Sequence, residues 1–338
     1  MKKCLVLGAA GFLGSHLEHR LKKEGHYVVS IARRPPPYRK SVANEYNIFD
    51  LTNHPDFHMA YYLRHDFDEV YQMAGEVGGL GYIGSGQNDA DILTNSLKIN
   101  LYTLEAIQKA GNVGKVFFAS SQCVYPDHVI EIDPYANERI AKDIATWRES
   151  DASFNNFAFG KEKLYAECLY SAFSRNRGLN VRIGRLGNTY GPYCTWDGER
   201  AKAVAAICRK VAETSYAGVV SLWGDGMQTR SFTFVDDAID GILRLMASDY
   251  SEPVNIAHPD QVSIIELFEE ICEVAGKILG WKTGKDGVVG VKHRGSDNAL
   301  CKQVLGWEPS ISLWEGLEKT YPWVAAQAQR KALTSKAS

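Results

Sequence analysis

Short continuous apolar runs alternate along this chain with segments whose apolar residues recur every three or four positions. Residues 3–8 (KCLVLG) form a run that reads as a strand buried on both faces. Between Phe12 and Gly25, Leu13, Leu17 and Leu21 fall four apart and so share one face of a helix. Tyr27–Ile31 reads as a second strand and NIFDL (47–51) as a third. The alternation continues with a strand over 68–73, a helix within 89–110, a strand over 115–120, a helix from about 158 to 176 and a strand over 180–186. Strands interleaved with helices in this way predict an α/β chain with a parallel, doubly wound sheet.

After Tyr190-Gly191-Pro192 the pattern loosens. A helix near 199–214, strands at 218–223 and 230–235, and helices near 236–248, 264–278 and 312–325 suggest a smaller α/β lobe woven into the first. The division expected is 1–188 with about 225–258 for the main domain, and 189–224 with 259–338 for the smaller lobe. Pro35-Pro36-Pro37 reads as a surface loop, since three prolines fit neither a helix nor a central strand. The tail after about 330 is expected to be disordered.

A length of 338 residues suits one large unit with an appended lobe. The hydrophobic share of 45% and charged share of 23% argue against disorder. A formal charge of −2 makes no case for nucleic acid or a membrane surface as partner, so any anion must be held by local arginines and helix ends. The seven cysteines (4, 123, 168, 194, 208, 272 and 301) show no metal-ligand spacing and read as reduced thiols. With no signal-type leader and no apolar stretch near the ~20 residues that span a bilayer, a cytoplasmic protein is expected.

Gly8-Ala9-Ala10-Gly11-Phe12-Leu13-Gly14 lies between the first strand and the first helix. Gly8, Gly11 and Gly14 let the backbone approach a pyrophosphate, while the amides of Phe12 and Leu13 open the helix toward its charge. This is the pattern of a Rossmann-type dinucleotide site, and NAD is the expected cofactor. An acidic residue normally closes the second strand and holds the ribose, but Ala32-Arg33-Arg34 stands here. Arg33 with Arg34 could accept a 2′-phosphate, which keeps NADP open. Asp50, followed by Leu51, reads either as a residue facing the adenine or as a helix N-cap.

Ser120-Ser121 end the strand KVFFAS, where open α/β sheets place ligands, and Phe159-Gly160-Lys161-Glu162-Lys163 opens a later helix. The chain here resembles the extended short-chain dehydrogenase/reductase family, whose signature is Ser…Tyr-x-x-x-Lys. Positions four apart share a helix face, so a tyrosine and the lysine would point together and the ammonium would favour phenolate as a base. Phe159 occupies the tyrosine position and Lys163 the lysine position. Phenylalanine moves no proton, so the usual base for oxidising a sugar hydroxyl is missing. Two readings stand: a Tyr→Phe change introduced to trap a substrate complex, favoured by the completeness of the rest, or a natural departure that abolishes or reroutes the redox step.

Four further runs sharpen the resemblance toward the GDP-mannose 3,5-epimerases of that family. They are Ala74–Gly81 (AGEVGGLG), Ser120–Pro126 (SSQCVYP), Gly191–Ala203 (GPYCTWDGERAKA) and Trp223–Phe234 (WGDGMQTRSFTF). The resemblance implies a homodimeric enzyme that takes hydride from C4 of a GDP-hexose, inverts C5 and C3 beside the transient ketone, and returns the hydride. It assigns Cys123 and Lys202 as the proton-transfer pair and Ser121 with Lys163 to the redox step. Gly78, Ser121, Asn188, Glu199, Lys202, Arg230 and Arg294 become substrate contacts, the two arginines clamping the diphosphate. Two rival functions are an NADP-dependent 4-reductase or 4,6-dehydratase, which Gln122-Cys123 in place of an acidic residue argues against, and an inactive nucleotide-sugar-binding protein, which Phe159 alone supports.

Overall fold

A computed structural model describes residues 1–53, 66–125, 158–284 and 293–337 of the chain. Its strands are β1 (Lys3–Leu7), β2 (Tyr27–Ala32), β3 (Glu45–Ile48), β4 (Phe67–Gln72), β5 (Val113–Ser121), β6 (Val181–Leu186), β7 (Asn188–Tyr190), β8 (Val219–Trp223), β9 (Thr229–Phe234), β10 (Val254–Ile256), β11 (Gln261–Ser263), β12 (Gly280–Gly284) and β13 (His293–Arg294). Seven of them form one parallel sheet in the order β10-β6-β5-β4-β1-β2-β3.

Both faces of that sheet are apolar, which explains why its strands read as unbroken hydrophobic runs. Cys4 and Val6 of β1 point to one side, among Leu17 and Leu21 of the helix Phe12–Lys23 and Ile239 and Ile242 of the helix Val235–Ala247. Leu5 and Leu7 point to the other, among Ile99, Leu104 and Ile107 of the helix Asp89–Ala110 and Ala166 and Tyr170 of the helix Ala158–Arg177. Each such fully buried side chain contributes about 1.5–3 kcal/mol by leaving water. The Rossmann-type α/β fold expected from the sequence is therefore the fold observed.

The chain winds away from β1 on both sides, through β2 in one direction and β4 in the other. The carboxyl ends of β1 and β4 consequently open a crevice, the place where such sheets bind ligands. Gly8 leaves β1 there with φ +82°, and a Cβ on it would come 2.8 Å from Cα of Ala74, the residue that begins the glycine-rich loop after β4.

Beyond β6 a second, four-stranded sheet forms around β9, which pairs with β7, β11 and β13. β8 and β12 make a separate parallel pair. Two expectations fail in this region. The helix placed near 199–214 begins only at Ala203, with Lys202 as its N-cap residue. The tail is not disordered up to residue 337: one helix runs Leu313–Ala337, held by buried Leu317, Val324 and Ala328 and, near its end, by an ion pair from Lys331 to Asp197. No helix of the described residues is long and apolar enough to cross a membrane.

Candidate active site

The turn after β1 fits a dinucleotide. Gly11 is the N-cap of the helix Phe12–Lys23 and offers no side chain, so the first amides of a twelve-residue helix face the crevice without a side-chain cap. A Cβ on Gly14 would overlap the Gly8 carbonyl, so only glycine permits this close turn. Arg33, just past β2, is exposed and lies 3.4 Å from Glu76 Oε1, bridging the two loops that rim the crevice. Asp50 closes a turn by accepting from the amide and hydroxyl of Thr52 at 2.9 and 2.8 Å, and Leu51 is buried. Leu51 and Thr52 form a turn, and the rest of the helix that Asp50 was read as capping lies outside the described residues.

At the end of β5 the two serines part company. Ser120 is buried and donates to Glu167 at 2.5 Å, a structural bond. Ser121 caps the short 3₁₀ turn Gln122–Val124: its Oγ accepts from the Cys123 amide at 3.1 Å, which leaves the hydroxyl proton to be donated. Behind this turn runs a buried polar chain. Glu167 accepts from Nε and Nη2 of Arg185 at 2.9 and 2.6 Å, Arg185 Nη1 donates to the Tyr125 hydroxyl at 2.9 Å, and Tyr125 donates to Asn255 at 2.9 Å. Asn255 in turn donates to the Asp297 carbonyl at 3.0 Å. The turn that carries Cys123 is thus tied to a helix, two strands and the loop after β13.

Phe159 and Lys163 share a helix face as the four-residue spacing requires. The Lys163 ammonium sits 5.7 Å from the Phe159 ring centroid and 4.9 Å from that of Phe118, and it donates to the Ala119 carbonyl at 3.1 Å. Both residues are buried. Phe159 packs with Tyr82, Ile83 and Ile92, and Cys123 lies against this cluster. The position that lacks a hydroxyl therefore borders the thiol.

Cys123 is half-buried, and its Sγ accepts a hydrogen bond from Arg294 Nη1 at 3.1 Å. Arg294, expected with Arg230 to clamp the diphosphate, thus also reaches the sulfur. Arg230 and Arg294 are register partners on the parallel strands β9 and β13. Their neighbouring positions suit a phosphate-bearing ligand, whose oxygens a guanidinium fork matches. Asn188 on β7 donates to the Ser231 carbonyl at 3.1 Å, next to Arg230.

Lys202 is solvent-accessible, yet the protein crowding its ammonium lowers its pKa, an effect that the nearby sulfurs of Cys123 and Cys194 partly oppose. Cys123 and Cys194 are thus the thiols near enough to bear on this amine. Lys202 is held in place by the glycine-rich loop. The Gly79 amide donates to the Arg200 carbonyl at 3.0 Å, and a Cβ on Gly79 would overlap the Ala201 carbonyl. Gly78 is similarly closed off by the Tyr82 side chain, 2.9 Å from where its Cβ would stand. Glu199, expected as a substrate contact or helix start, is exposed and four residues too early to start the helix.

Sequence reasoning missed the residue that ties these loops together. Glu76, buried in the glycine-rich run, accepts from Arg200 at 2.8 Å and Tyr82 at 3.1 Å and pairs with Arg33. Burial works to raise its pKa, but the Arg200 hydrogen bond and the two guanidinium charges outweigh it and hold the carboxyl below its ordinary value. An acid within a run of glycines was the available signal; its arginine partners, 43 and 124 positions away in sequence, left none. The Arg200 guanidinium also lies over the Tyr82 ring, 3.7 Å from its centroid.

The chain is 38% identical over 336 residues to GDP-mannose 3,5-epimerase 1 of Oryza sativa subsp. indica, covering 96% of this chain and 82% of that protein. It is 37% identical over 333 residues to GDP-mannose 3,5-epimerase of Arabidopsis thaliana, covering 97% and 84%. Among solved structures, a tyrosine-to-phenylalanine mutant of UDP-glucuronic acid 4-epimerase from Bacillus cereus, in complex with UDP-4-deoxy-4-fluoro-glucuronic acid and NAD, superposes with a TM-score of 0.78. That match has 25% identity and covers 96% of this chain and 99% of that one. With residues 4–257 matching its description as well, this chain belongs to the NAD dependent epimerase/dehydratase family.

Proposed function

We propose that the chain is a sugar-nucleotide epimerase that inverts C5, and C3, of a GDP-linked hexose of the mannose series at the stage of its 4-ketone. The observation that carries this reading is the Cys123 sulfur, set in the turn that Ser121 caps and held by Arg294, the register partner of Arg230. A ketone at C4 acidifies the hydrogens on C3 and C5, and inversion then needs a base on one ring face and an acid on the other. Cys123 serves as the base and Lys202 as the acid, while Arg230 and Arg294 hold the diphosphate. The relatives' names support GDP-mannose as the nucleotide sugar.

A nicotinamide dinucleotide, when bound along Gly8–Gly14, supplies hydride exchange at C4. The chain's own residues position that exchange. Lys163 presents its ammonium beside the Ala119 carbonyl, and Ser121 offers a hydrogen-bond donor to the C4 oxygen. Phe159 impairs the step because it cannot take the hydroxyl proton. NAD is the cofactor assigned, with Arg33 keeping NADP in play; mass measurement of the nucleotide released on denaturation separates them. A homodimer formed through the helices Asp89–Ala110 and Ala158–Arg177 completes the reading.

The test is restoration of the hydroxyl. Phe159→Tyr is expected to gain epimerase activity on GDP-mannose by about 10²-fold or more, the usual worth of a positioned general base. A correctly folded Phe159→Tyr protein that binds GDP-mannose and produces no epimer overturns the assignment.

A further inference from the structure

We propose that Phe159 is a natural departure and that the substrate reaches this site already oxidised: the chain epimerises a nucleotide-linked 4-ketohexose made by a separate enzyme. This inference rests on the epimerase reading and names the substrate class for it. The supplying reaction would be an oxidation at C4 or a 4,6-dehydration of a nucleotide hexose, and a ketone reduction would consume the product.

Oxidation of a C4 alcohol requires an acceptor for its hydroxyl proton within hydrogen-bond reach. Phe159 holds the place on the helix face beside Lys163, and its buried ring accepts no proton. Among the described residues, the tyrosines around the site are engaged elsewhere or turned away. Tyr82 donates to Glu76, and burial together with that carboxylate raises its pKa, which is the wrong direction for a base. Tyr125 is locked between Arg185 and Asn255, and Tyr165 faces solvent. Lys163 itself is committed as a donor to Ala119.

What remains complements a ketone. The Ser121 oxygen is already used as an acceptor by the Cys123 amide, so the hydroxyl presents its proton outward. A C4 carbonyl oxygen accepts that proton, and holding it there asks for no base at position 159. Meanwhile the proposed proton-transfer groups are intact: Cys123 accepts from Arg294, and Lys202 is near enough to feel the charge of that sulfur. A site that had lost its chemistry altogether would have no use for a thiol, an amine and a hydroxyl donor kept together.

The step balances without an oxidant. The Cys123 thiolate takes the proton from C5, and the C–H electron pair becomes the C4–C5 enolate, whose oxygen is held by the Ser121 hydroxyl. The Lys202 ammonium protonates C5 from the opposite ring face and the ketone re-forms. Cys123 and Lys202 then exchange protons with water, and C3 can follow the same course. Substrate and product share one oxidation level.

The experiment incubates the full-length protein in deuterium oxide with GDP-4-keto-6-deoxymannose or with GDP-mannose, and reads deuterium at C3 and C5 by mass and nuclear magnetic resonance spectroscopy. Uptake into the ketone well above the buffer background is expected, falling about 10²-fold in Cys123→Ser and in Lys202→Met, with none into GDP-mannose. Deuterium entering C5 of GDP-mannose overturns the proposal but keeps the epimerase reading, since the redox step then runs without tyrosine. Absence of uptake into the ketone, with Phe159→Tyr turning over GDP-mannose, overturns the proposal alone. Failure of both substrates in both proteins, with nucleotide binding retained by calorimetry, removes the epimerase reading and this inference with it.

Discussion

Arg294 Nη1 lies 3.1 Å from the sulfur of Cys123, while the backbone of Arg294 is in register with Arg230 on the neighbouring strand. One guanidinium thus stands between the thiol proposed as base and the arginine proposed to hold phosphate. Charge-assisted hydrogen bonds contribute about 1.5–3 kcal/mol, so Arg294→Ala is expected to weaken GDP binding by roughly 10–100-fold. GDP is also expected to protect Cys123 from iodoacetamide in the native protein and to protect it less in the variant, as peptide mapping would show. Buried Cys194, its thiol pushed up to about 12, stays unlabelled in both. Equal GDP affinity in the two proteins contradicts the phosphate role.

Lys202 sets the alkaline side of the pH profile. Crowding lowers its pKa from the ordinary 10.5, so raising the pH removes the proton it must donate before an exposed lysine would lose its own. Deuterium exchange on a 4-keto substrate is therefore expected to decline with rising pH on a limb centred below 10.5. Lys202→Arg, which keeps the charge but does not give up its proton, is expected to lose about 10²-fold in rate and to lose that limb. An unchanged profile in the variant removes Lys202 from the reaction.

Much of this architecture was legible before the structure. β1, β2, β4, β5 and β6 show as apolar runs because the sheet is covered on both faces, and the four-residue spacing of Phe159 and Lys163 survives as a shared helix face. β7, β10 and β11, at three residues each, and β13, at two, are too short to leave a periodic trace. The last helix was expected near 312–325, and its extension to Ala337 was missed for a different reason. Its final turns are polar and exposed, so no apolar periodicity marks them, although the Ala, Gln, Lys and Arg content favours helix. The contact of Arg294 with Cys123 joins residues 171 apart, which no local pattern encodes.

Gly79 controls the position of Lys202 from across a loop contact. A Cβ there would overlap the Ala201 carbonyl, and the side effect would be to push away the segment that carries the amine. Gly79→Ala is expected to reduce turnover by about 10²-fold, the scale of a misplacement near 1 Å. Gly280→Ala, whose added carbon meets Val219 at an ordinary 3.4 Å, should leave turnover within a small factor. Steady-state rates of the two variants decide this.

The Glu167–Arg185 pair stabilises by geometry and becomes a liability when broken. Both side chains are buried and the bond is bidentate. Glu167→Ala leaves the Arg185 charge uncompensated and is expected to cost about 3–5 kcal/mol. That corresponds to a fall in Tm of roughly 4–7 °C for a chain of this size, measured by circular dichroism. Glu167→Leu combined with Arg185→Met should recover much of the loss, since no lone charge then stays inside. A fall near zero for Glu167→Ala would mean that water reaches the guanidinium.

The seventh strand of the main sheet, β10, enters from residues 254–256, after the chain has already visited β7, β8 and β9. During synthesis the outer edge beyond β6 therefore stays open until most of the polypeptide has emerged. The nucleotide-binding half is not a module that can be cut out at residue 188 and expressed alone, because such a fragment would present β6 as a bare, hydrophobic template for aggregation. Anyone grafting a new sugar-recognition lobe onto this scaffold must splice on both sides of that late strand rather than at a single junction.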